Sequence, residues 1–239
     1  MDNNLLLTVG EIVAKDFRTA SVFSKYEIDF CCGGDKTLEE ACKEQSIDRS
    51  QLQKELEEVA RKEEETIDFN SWSLKLLVDY IEETYHTYIK RQLPLLIKNL
   101  EKIKDVHGKH HPELLKIYNL FSQSAMDLSM HLQKEEKILF PLIRELSEAE
   151  KSGGPVEQGH CGTIQNPISV MREEHETEGE RFKKISELSG GYEVPSDGCT
   201  TYHATYEMLE EFERKLHEHI HLENNILFPK AIELEKLLC

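Results

Sequence analysis

The chain has 239 residues, of which 38% are apolar and 31% charged, and its formal net charge is −17. A chain this acidic repels phosphate groups, so binding to nucleic acid or to an anionic membrane surface is not expected. No apolar run approaches the length of a membrane-spanning helix, and the segment that begins at Met1 lacks the basic residues of a signal peptide. The six cysteines are therefore expected to be reduced thiols, and the predicted compartment is the cytoplasm.

Residues 1–65 are predicted to form a small helical domain. Two segments, 8–11 and 37–40, have the form Thr-x-x-Glu, in which the threonine accepts from a backbone N–H and the glutamate bonds back. A further helix is predicted over about 48–64 from its apolar spacing. Between the first two helix starts lies Asp29-Phe-Cys-Cys-Gly-Gly34, whose paired glycines indicate a turn.

The rest of the chain, residues 72–239, is predicted to form a bundle of four long helices. Apolar residues recur at every third or fourth position in four separate segments, and nothing reads as a strand. Four helices of this length with short or moderate connections pack as a bundle, so the predicted fold class is all-α. The four segments span about 73–106, 112–146, 166–189 and 201–237.

An internal repeat links the second and fourth predicted helices. The pattern His-x-x-x-Glu-x-x-Ile-Leu-Phe-Pro occurs at 131–141 and, 88 residues later, at 219–229. A looser repeat links the other two helices, in which His86 and His175 are 89 positions apart. Two helix pairs related in this way indicate a bundle of near two-fold symmetry, whose four polar positions converge midway along its length.

The histidine and glutamate of each pattern lie one turn apart on one helix face, and that face is the apolar seam of the helix. They are His131 and Glu135 in the second helix, and His219 and Glu223 in the fourth. A carboxylate in an apolar seam is costly unless it is paired or binds a metal, and two facing carboxylates repel. A pair of divalent cations removes both penalties. Mixed imidazole and carboxylate ligands with open positions favour non-haem iron, although ligand type leaves manganese and zinc open.

Other histidines are weaker candidates for this site. His217 and His221 lie two residues before and after His219, which turns them about 160° around the helix and predicts that they face solvent. His107 lies 21 residues after His86. That is about 31 Å along a continuous helix, so both reach one site only if the chain bends back.

These features together resemble the family of di-iron proteins that repair iron–sulfur clusters. The resemblance rests on the Cys-Cys-Gly-Gly turn in a small N-terminal domain and on the two His-x3-Glu patterns of a haemerythrin-like bundle. Shorter matching stretches extend it over almost the whole chain. It implies a cytoplasmic stress protein that helps to restore clusters damaged by nitric oxide or peroxide. It also implies two non-haem iron ions, bridged by the two glutamates and by oxo or hydroxo groups, with the ligands His86, His131, Glu135, His175, His219 and Glu223.

Three functions follow from such a site. The leading hypothesis is a protein that supplies or mobilises iron for damaged iron–sulfur proteins, its clients, and binds nitric oxide at open coordination positions. A second is an enzyme that reduces nitric oxide or peroxide at the same irons. A third is a haemerythrin-like oxygen or redox sensor whose N-terminal domain signals to a partner. Self-association as a homodimer is left open.

Cys31 and Cys32 form a second candidate site. Adjacent cysteines rarely form a disulfide because the ring is strained. Two thiolates can take iron transiently or react with oxidants if their pKa is lowered. One interpretation is a buried pair that only shapes the turn. The other is that the N-terminal domain docks to clients or to a partner subunit, and the pair assists iron or redox transfer.

Overall fold

In the computed structural model, residues 7–61, 67–153 and 164–239 are described. They form eight helices, numbered α1 to α8 in chain order, and contain no strand. Thr8 and Thr37 make one isolated antiparallel bridge. The first four helices are short: α1 (Val9–Lys15), α2 (Ala20–Lys25), α3 (Leu38–Glu44) and α4 (Arg49–Ala60).

Four long helices follow, and three of them contain a π-helical turn, which holds more residues than an α-helical turn. The predicted all-α fold class is confirmed, and each predicted long helix is present. In the described part of the chain, no helix has the length and apolarity needed to cross a membrane. The segments are Leu74–Ile81, the π turn Glu82–His86 and Thr87–His107 in α5; Glu113–Lys134, the π turn Glu135–Leu139 and Phe140–Ser152 in α6; Gln165–Ser189 in α7; and Thr200–Leu222, the π turn Glu223–Leu227 and Phe228–Leu238 in α8.

Both predicted helix starts of the N-terminal domain are confirmed as capping boxes. Glu11 N–H donates to Thr8 Oγ1 at 3.2 Å, and Thr8 N–H donates to the Glu11 carboxylate at 2.9 Å. Thr37 and Glu40 make the same reciprocal bonds at the start of α3. The first backbone N–H groups of a helix have no partner within the helix, and these bonds satisfy some of them. This explains why helices of only seven residues form here.

The described residues divide into two compact units. One contains 7–78, 143–153, 164–165 and 217–239, and the other contains 79–142 and 166–216. All four long helices contribute residues to both units, α7 only through its first residue, Gln165. The predicted domain limits at residues 65 and 72 stay a prediction, and the first of them falls within residues 62–66, which lie outside the described residues.

The second unit has an aromatic core that joins all four long helices. The Phe212 ring of α8 lies 5.5 Å from Phe121 of α6 and 5.6 Å from Phe182 of α7, centroid to centroid. Tyr88 of α5 lies 6.2 Å from the same ring. Aromatic rings bury large apolar areas and prefer such edge-to-face or offset arrangements. This cluster therefore fixes the four helices as a bundle within the unit.

In the first unit, the N-terminal domain packs against the C-terminal part of α8. The His221 ring lies 5.8 Å from Phe17 and 5.7 Å from Phe30, and His221 Nδ1 is 3.1 Å from the Phe30 carbonyl oxygen. The Asn225 amide donates to the Cys31 carbonyl at 3.2 Å. Two asparagines directly follow Glu223 in the π turn of α8. The side-chain amides of Asn224 and Asn225 both lie within hydrogen-bonding distance of the Cys31 carbonyl.

The prediction that His217 and His221 face solvent is wrong. His221 is fully buried and His217 is half-buried, with its ring edge-on to Phe30. Burial lowers the pKa of His221 to about 4, so the imidazole is neutral at physiological pH. The face of α8 that turns away from the bundle seam is covered by the N-terminal domain, and helical periodicity alone does not reveal such a cover.

The Ile-Leu-Phe-Pro repeats coincide with π turns. Phe140 N–H donates to the Glu135 carbonyl five residues back, and Phe228 N–H donates to the Glu223 carbonyl in the same way. Each is followed by a proline, Pro141 or Pro229, which has no N–H to donate. Where backbone hydrogen bonds shift from i−4 to i−5 partners, some carbonyl groups of the helix lose their usual N–H partner. The missing N–H of the proline therefore falls where the π turn already interrupts the regular helical hydrogen bonds. The repeats therefore shape the helix directly after each glutamate.

Four of the described cysteines, at positions 31, 32, 42 and 199, are free thiols. Cys239 is disulfide-bonded, so the prediction that all six cysteines are reduced is wrong at that position.

We predict that Gly10→Ala destabilises the first unit. A Cβ at Gly10 would lie 2.9 Å from the Gly34 carbonyl oxygen and 2.6 Å from Asn225 Oδ1, so the α1–α8 packing must open. The expected loss is about 1–3 kcal/mol, the usual cost of overpacking, and thermal unfolding of the full chain measures it. Ser21→Ala, at an exposed position of α2, is the control and should stay within about 0.5 kcal/mol. Equal unfolding temperatures for the two variants would contradict the close packing.

Candidate metal centre

Four of the six predicted ligands lie together in the second unit. His86 ends the π turn of α5, His131 and Glu135 lie one turn apart at the junction of α6 with its π turn, and His175 projects from α7. All four are buried, with exposed fractions of 4% or less. The ligand atoms of His131, Glu135 and His175 lie within 4.8 Å of one another. The structure thus brings these four predicted residues to one place.

Their separations fit metal coordination in which both His131 and His86 approach the Glu135 carboxylate. His131 Nε2 is 3.1 Å from His175 Nε2 and 3.3 Å from Glu135 Oε2, and His86 Nε2 is 3.4 Å from the same oxygen. Two ligand atoms at right angles around a metal, each about 2.1 Å from it, are about 3 Å apart. Neighbouring ligands of one metal ion have this spacing.

Glu135 is the residue that most needs a cation. Its side chain is fully buried, and within the described residues neither carboxylate oxygen accepts a well-formed hydrogen bond. Burial raises the pKa of Glu135, but the adjacent imidazoles of His131 and His86 outweigh it and hold the pKa well below the ordinary value. An ionised carboxylate without solvent or donors is costly unless a positive charge lies beside it. The donor set therefore fits a bound cation.

The other two predicted ligands, His219 and Glu223, belong to the first unit. Both are fully buried on α8, and Glu223 begins the π turn of that helix as Glu135 begins that of α6. His219 Nε2 lies 3.1 Å from Glu223 Oε1, the same spacing as in the His131–Glu135 pair. The repeat in the sequence is thus a repeat in local structure.

Glu136 orients the imidazole of His86. Its carboxylate lies 2.8 Å from His86 Nδ1 and accepts from Lys90 Nζ at 2.6 Å. Because a carboxylate only accepts, His86 Nδ1 carries a proton, and Nε2 is the nitrogen that would bind a metal after losing its own proton. Burial raises the pKa of Glu136, but its bonds to Lys90 and His86 lower it overall, so the group is ionised at neutral pH.

Glu174 of α7 performs the same role for His131. Its carboxylate lies 2.8 Å from His131 Nδ1 and also accepts from Lys134. The bond to His131, with that to Lys134, lowers the pKa of Glu174 to about 2. A carboxylate behind a histidine fixes its tautomer and increases its basicity as a metal ligand. Each of these two histidines thus has a carboxylate and a lysine behind it.

Sequence reasoning missed Glu136 and Glu174. The repeat offers no signal for the first, because the residue 88 positions after Glu136 is Asn224. Glu174 directly precedes His175, but it bonds to a histidine on a different helix. Either contact becomes visible only once the neighbouring helices are in place.

The Cys31–Cys32 pair forms a separate group in the first unit. The two sulfurs are 3.8 Å apart, and Asp29 Oδ1 lies 3.2 Å from Cys31 Sγ. Asp29 also accepts from the backbone N–H groups of Cys31, Cys32 and Gly33, which closes the turn. The hydrogen bond with Cys32 and burial raise the pKa of Cys31 well above its usual value. The Cys31 thiol therefore stays protonated at neutral pH, although ligand atoms of Asp29, Cys31 and Cys32 lie close enough to share a metal.

We predict that Glu136→Gln and Glu174→Gln each weaken metal binding about 10–100-fold, the usual cost of losing a carboxylate behind a histidine ligand. An amide can offer its carbonyl to Nδ1–H but supplies no negative charge. Competition with a chromophoric chelator measures the change. Glu173→Gln alters an exposed glutamate of α7 next to Glu174 and should leave the affinity unchanged. Wild-type affinity in both test variants would rule out this role.

Two family models match the chain. Residues 6–60 match the ScdA_N domain, described as a domain of unknown function, and residues 77–231 match the haemerythrin HHE cation-binding domain. The second match contains all six predicted ligands. The site residues are thus part of a domain described as cation-binding.

Curated relatives match nearly end to end. The iron-sulfur cluster repair protein ScdA of Staphylococcus haemolyticus is 32% identical over 222 residues, which is 93% of this chain and 96% of the relative. The iron-sulfur cluster repair proteins YtfE of Pectobacterium carotovorum and Escherichia coli O81 are each 34% identical, covering 95% and 94% of this chain and 97% and 96% of the relatives. This chain belongs to the ScdA/YtfE family, in which a haemerythrin-type cation-binding domain follows the N-terminal domain.

Proposed function

We propose that the chain is a di-iron protein that repairs iron–sulfur clusters damaged by oxidative and nitrosative stress, by supplying iron and by handling nitric oxide. The observation that carries this proposal is the fully buried Glu135 carboxylate with the imidazoles of His86 and His131 at ligand spacing. The relatives are named as iron–sulfur cluster repair proteins, which supports the biological role.

The proposed ligands of the two irons are two glutamates and four histidines. Four imidazoles and two carboxylates would hold the ions and would leave positions open for an oxo or hydroxo group and for small ligands. Iron, when bound, would supply redox chemistry and affinity for nitric oxide or oxygen. The ligands are His86, His131, Glu135, His175, His219 and Glu223.

In this proposal the protein binds iron tightly but can still release it. Glu136 and Glu174 keep two histidines in the metal-binding tautomer, and both carboxylates are a quarter to a third exposed. Lys90 and Lys134, which cover them, are about half exposed. Solvent therefore reaches the carboxylates that bond to the histidine ligands, whereas the histidine side chains themselves are buried. Changes in protonation at these outer positions would alter iron affinity without opening the core.

The proposed partners are damaged iron–sulfur proteins as clients, with nitric oxide or oxygen as small ligands and a second copy of the chain in a homodimer. The proposed compartment is the cytoplasm. The free thiols at positions 31, 32, 42 and 199 support a reducing compartment, and the disulfide at Cys239 opposes it.

We further propose that Cys31 and Cys32 assist iron or redox transfer. Their sulfurs are 3.8 Å apart, a distance at which both can bind one metal ion. Cys32 is partly exposed, so an incoming ion meets it first. Because Cys31 is protonated, capture by both sulfurs releases a proton, as thiolate ligation requires.

The di-iron proposal predicts two irons per chain in anaerobically purified protein, with Mössbauer and EPR spectra of a coupled pair. Glu135→Gln should reduce iron content by at least half, because the amide carries no charge to balance two cations. Glu148→Gln, at an exposed position of α6, is the control and should bind iron normally. Zinc in place of iron, or less than one metal per chain, would overturn the proposal.

A repair assay distinguishes the iron-supply function from its alternatives. Iron release under nitric oxide should accompany recovery of a damaged client cluster. Sustained steady-state reduction of nitric oxide or peroxide with an electron donor, without iron transfer, would instead establish a reductase. Reversible oxygen binding by the diferrous form, without iron loss, would establish a sensor.

The transfer role of the cysteine pair predicts that Cys31→Ser/Cys32→Ser retains two irons per chain but loses most of its repair activity. Iron content separates this effect from damage to the metal centre. Cys42→Ser removes another buried thiol of the N-terminal domain and should repair clusters normally. Full repair activity in the double variant would remove the proposed role.

A further inference from the structure

A cysteine and a histidine meet at the end of the second unit where α8 begins. Cys199 directly precedes Thr200, the first residue of α8, and its sulfur lies 3.3 Å from His107 Nε2 at the end of α5. Cys199 is exposed to solvent. His107 lies about 31 Å along α5 from His86, so this pair is remote from that proposed iron ligand.

The surroundings of the sulfur favour its thiolate form. His107 and the backbone N–H groups of Thr201 and Tyr202, in the first turn of α8, lower the pKa of Cys199 to about 7. The positive end of a long helix adds to this effect, since it stabilises a negative charge. Lys102 Nζ lies 3.3 Å from the Thr201 hydroxyl and brings a cation to the same turn. In contrast, burial raises the pKa of the Cys42 thiol.

His107 is held in place by aromatic neighbours. Its ring packs edge-on to Tyr202 at 5.4 Å and lies 6.5 Å from the ring of His111. The carboxylates on this side, Asp197 and Glu113, are bonded to His111 at 2.9 and 3.2 Å. Burial lowers the pKa of His111, but its bonds to these two carboxylates raise it overall, so the positive charge of the imidazolium can offset their negative charge. The negative groups near the thiol are therefore engaged by a second imidazole.

A cavity of about 330 Å³ lies in the same unit, and His111 and Tyr202, whose rings contact His107, are among its lining residues. Its lining contains neither Cys199 nor His107, so a small molecule reaches the sulfur through the solvent exposure of Cys199 itself.

We propose that Cys199 and His107 form a second reactive centre, in which Cys199 is a nucleophile toward hydrogen peroxide. The thiolate attacks one peroxide oxygen, the O–O bond breaks, and an S–O bond forms. The sulfur loses two electrons to become sulfenic acid, and the leaving hydroxide takes a proton from the His107 imidazolium to become water. His107 is thus both the partner of the thiolate and the acid for the leaving group. This centre does not depend on the proposed repair function.

Alkylation of the iron-loaded chain tests the dyad directly. The rate of iodoacetamide modification at Cys199, followed by peptide mass spectrometry, should be half-maximal near pH 7. In His107→Gln the midpoint should rise toward the ordinary thiol value, about 8.5. At pH 6.5 the variant should react about fivefold more slowly, because a roughly twentyfold loss of thiolate is partly offset by its higher intrinsic nucleophilicity. His110→Gln, at an exposed neighbouring position, is the control and should keep the wild-type profile.

Peroxide reactivity tests the proposed chemistry. With one equivalent of hydrogen peroxide, a sulfenic-acid trap should label Cys199 in the wild type and several-fold less in His107→Gln. Iron content should be equal in the two proteins, which separates this centre from the metal site. An unchanged alkylation profile in His107→Gln would overturn the proposal. Equal labelling of Cys199 in the wild type and in His107→Gln would also overturn it, because oxidants produced by iron and peroxide in solution would oxidise both proteins alike.

Discussion

The charge on Glu135 is the constraint on which the structure of the site depends. An ionised carboxylate that is wholly removed from water must be balanced by positive charge, and the bundle surrounds it with imidazoles rather than with lysine or arginine. Imidazoles that bind a metal are neutral, so in that state the balancing charge would come from a cation that they share. The lysines stay one layer further out, where they bond to the carboxylates behind the histidines. The lysines thus lie in an outer layer and the histidines in an inner one, where a bound metal ion would supply the positive charge next to Glu135.

The π turns show how the helices accommodate this centre. Three of the four long helices widen by a turn at a predicted ligand, at His86, Glu135 and Glu223, whereas α7 continues without interruption through His175. Wide turns are costly and are often found at functional sites. In α6 and α8 the following proline coincides with the disturbed hydrogen-bond ladder. The phenylalanine core of the second unit shows how the helices can tolerate such local disruption, since it fixes them independently of the turns.

The sequence predicted the features that repeat or that depend on short-range bonding. The capping boxes of α1 and α3, the four long helices and the seam position of His131 and Glu135 follow from spacing alone. Contacts between distant segments did not follow. Glu174 serves a histidine 43 residues away on another helix, and Cys199 meets His107 across 92 residues. His221 was mispredicted for the same reason, because its burial depends on a domain almost 200 residues earlier.

The amide of Asn225 has a mechanical consequence. Asn225 lies inside the π turn that begins at Glu223, and its side chain holds the carbonyl of Cys31. His221, on the preceding turn, holds the carbonyl of Phe30. The thiol-bearing turn is therefore hydrogen-bonded to the stretch of helix that contains Glu223, one of the predicted ligands. A displacement of either segment would have to bend or break these bonds, so the positions of the two candidate sites in this unit depend on each other.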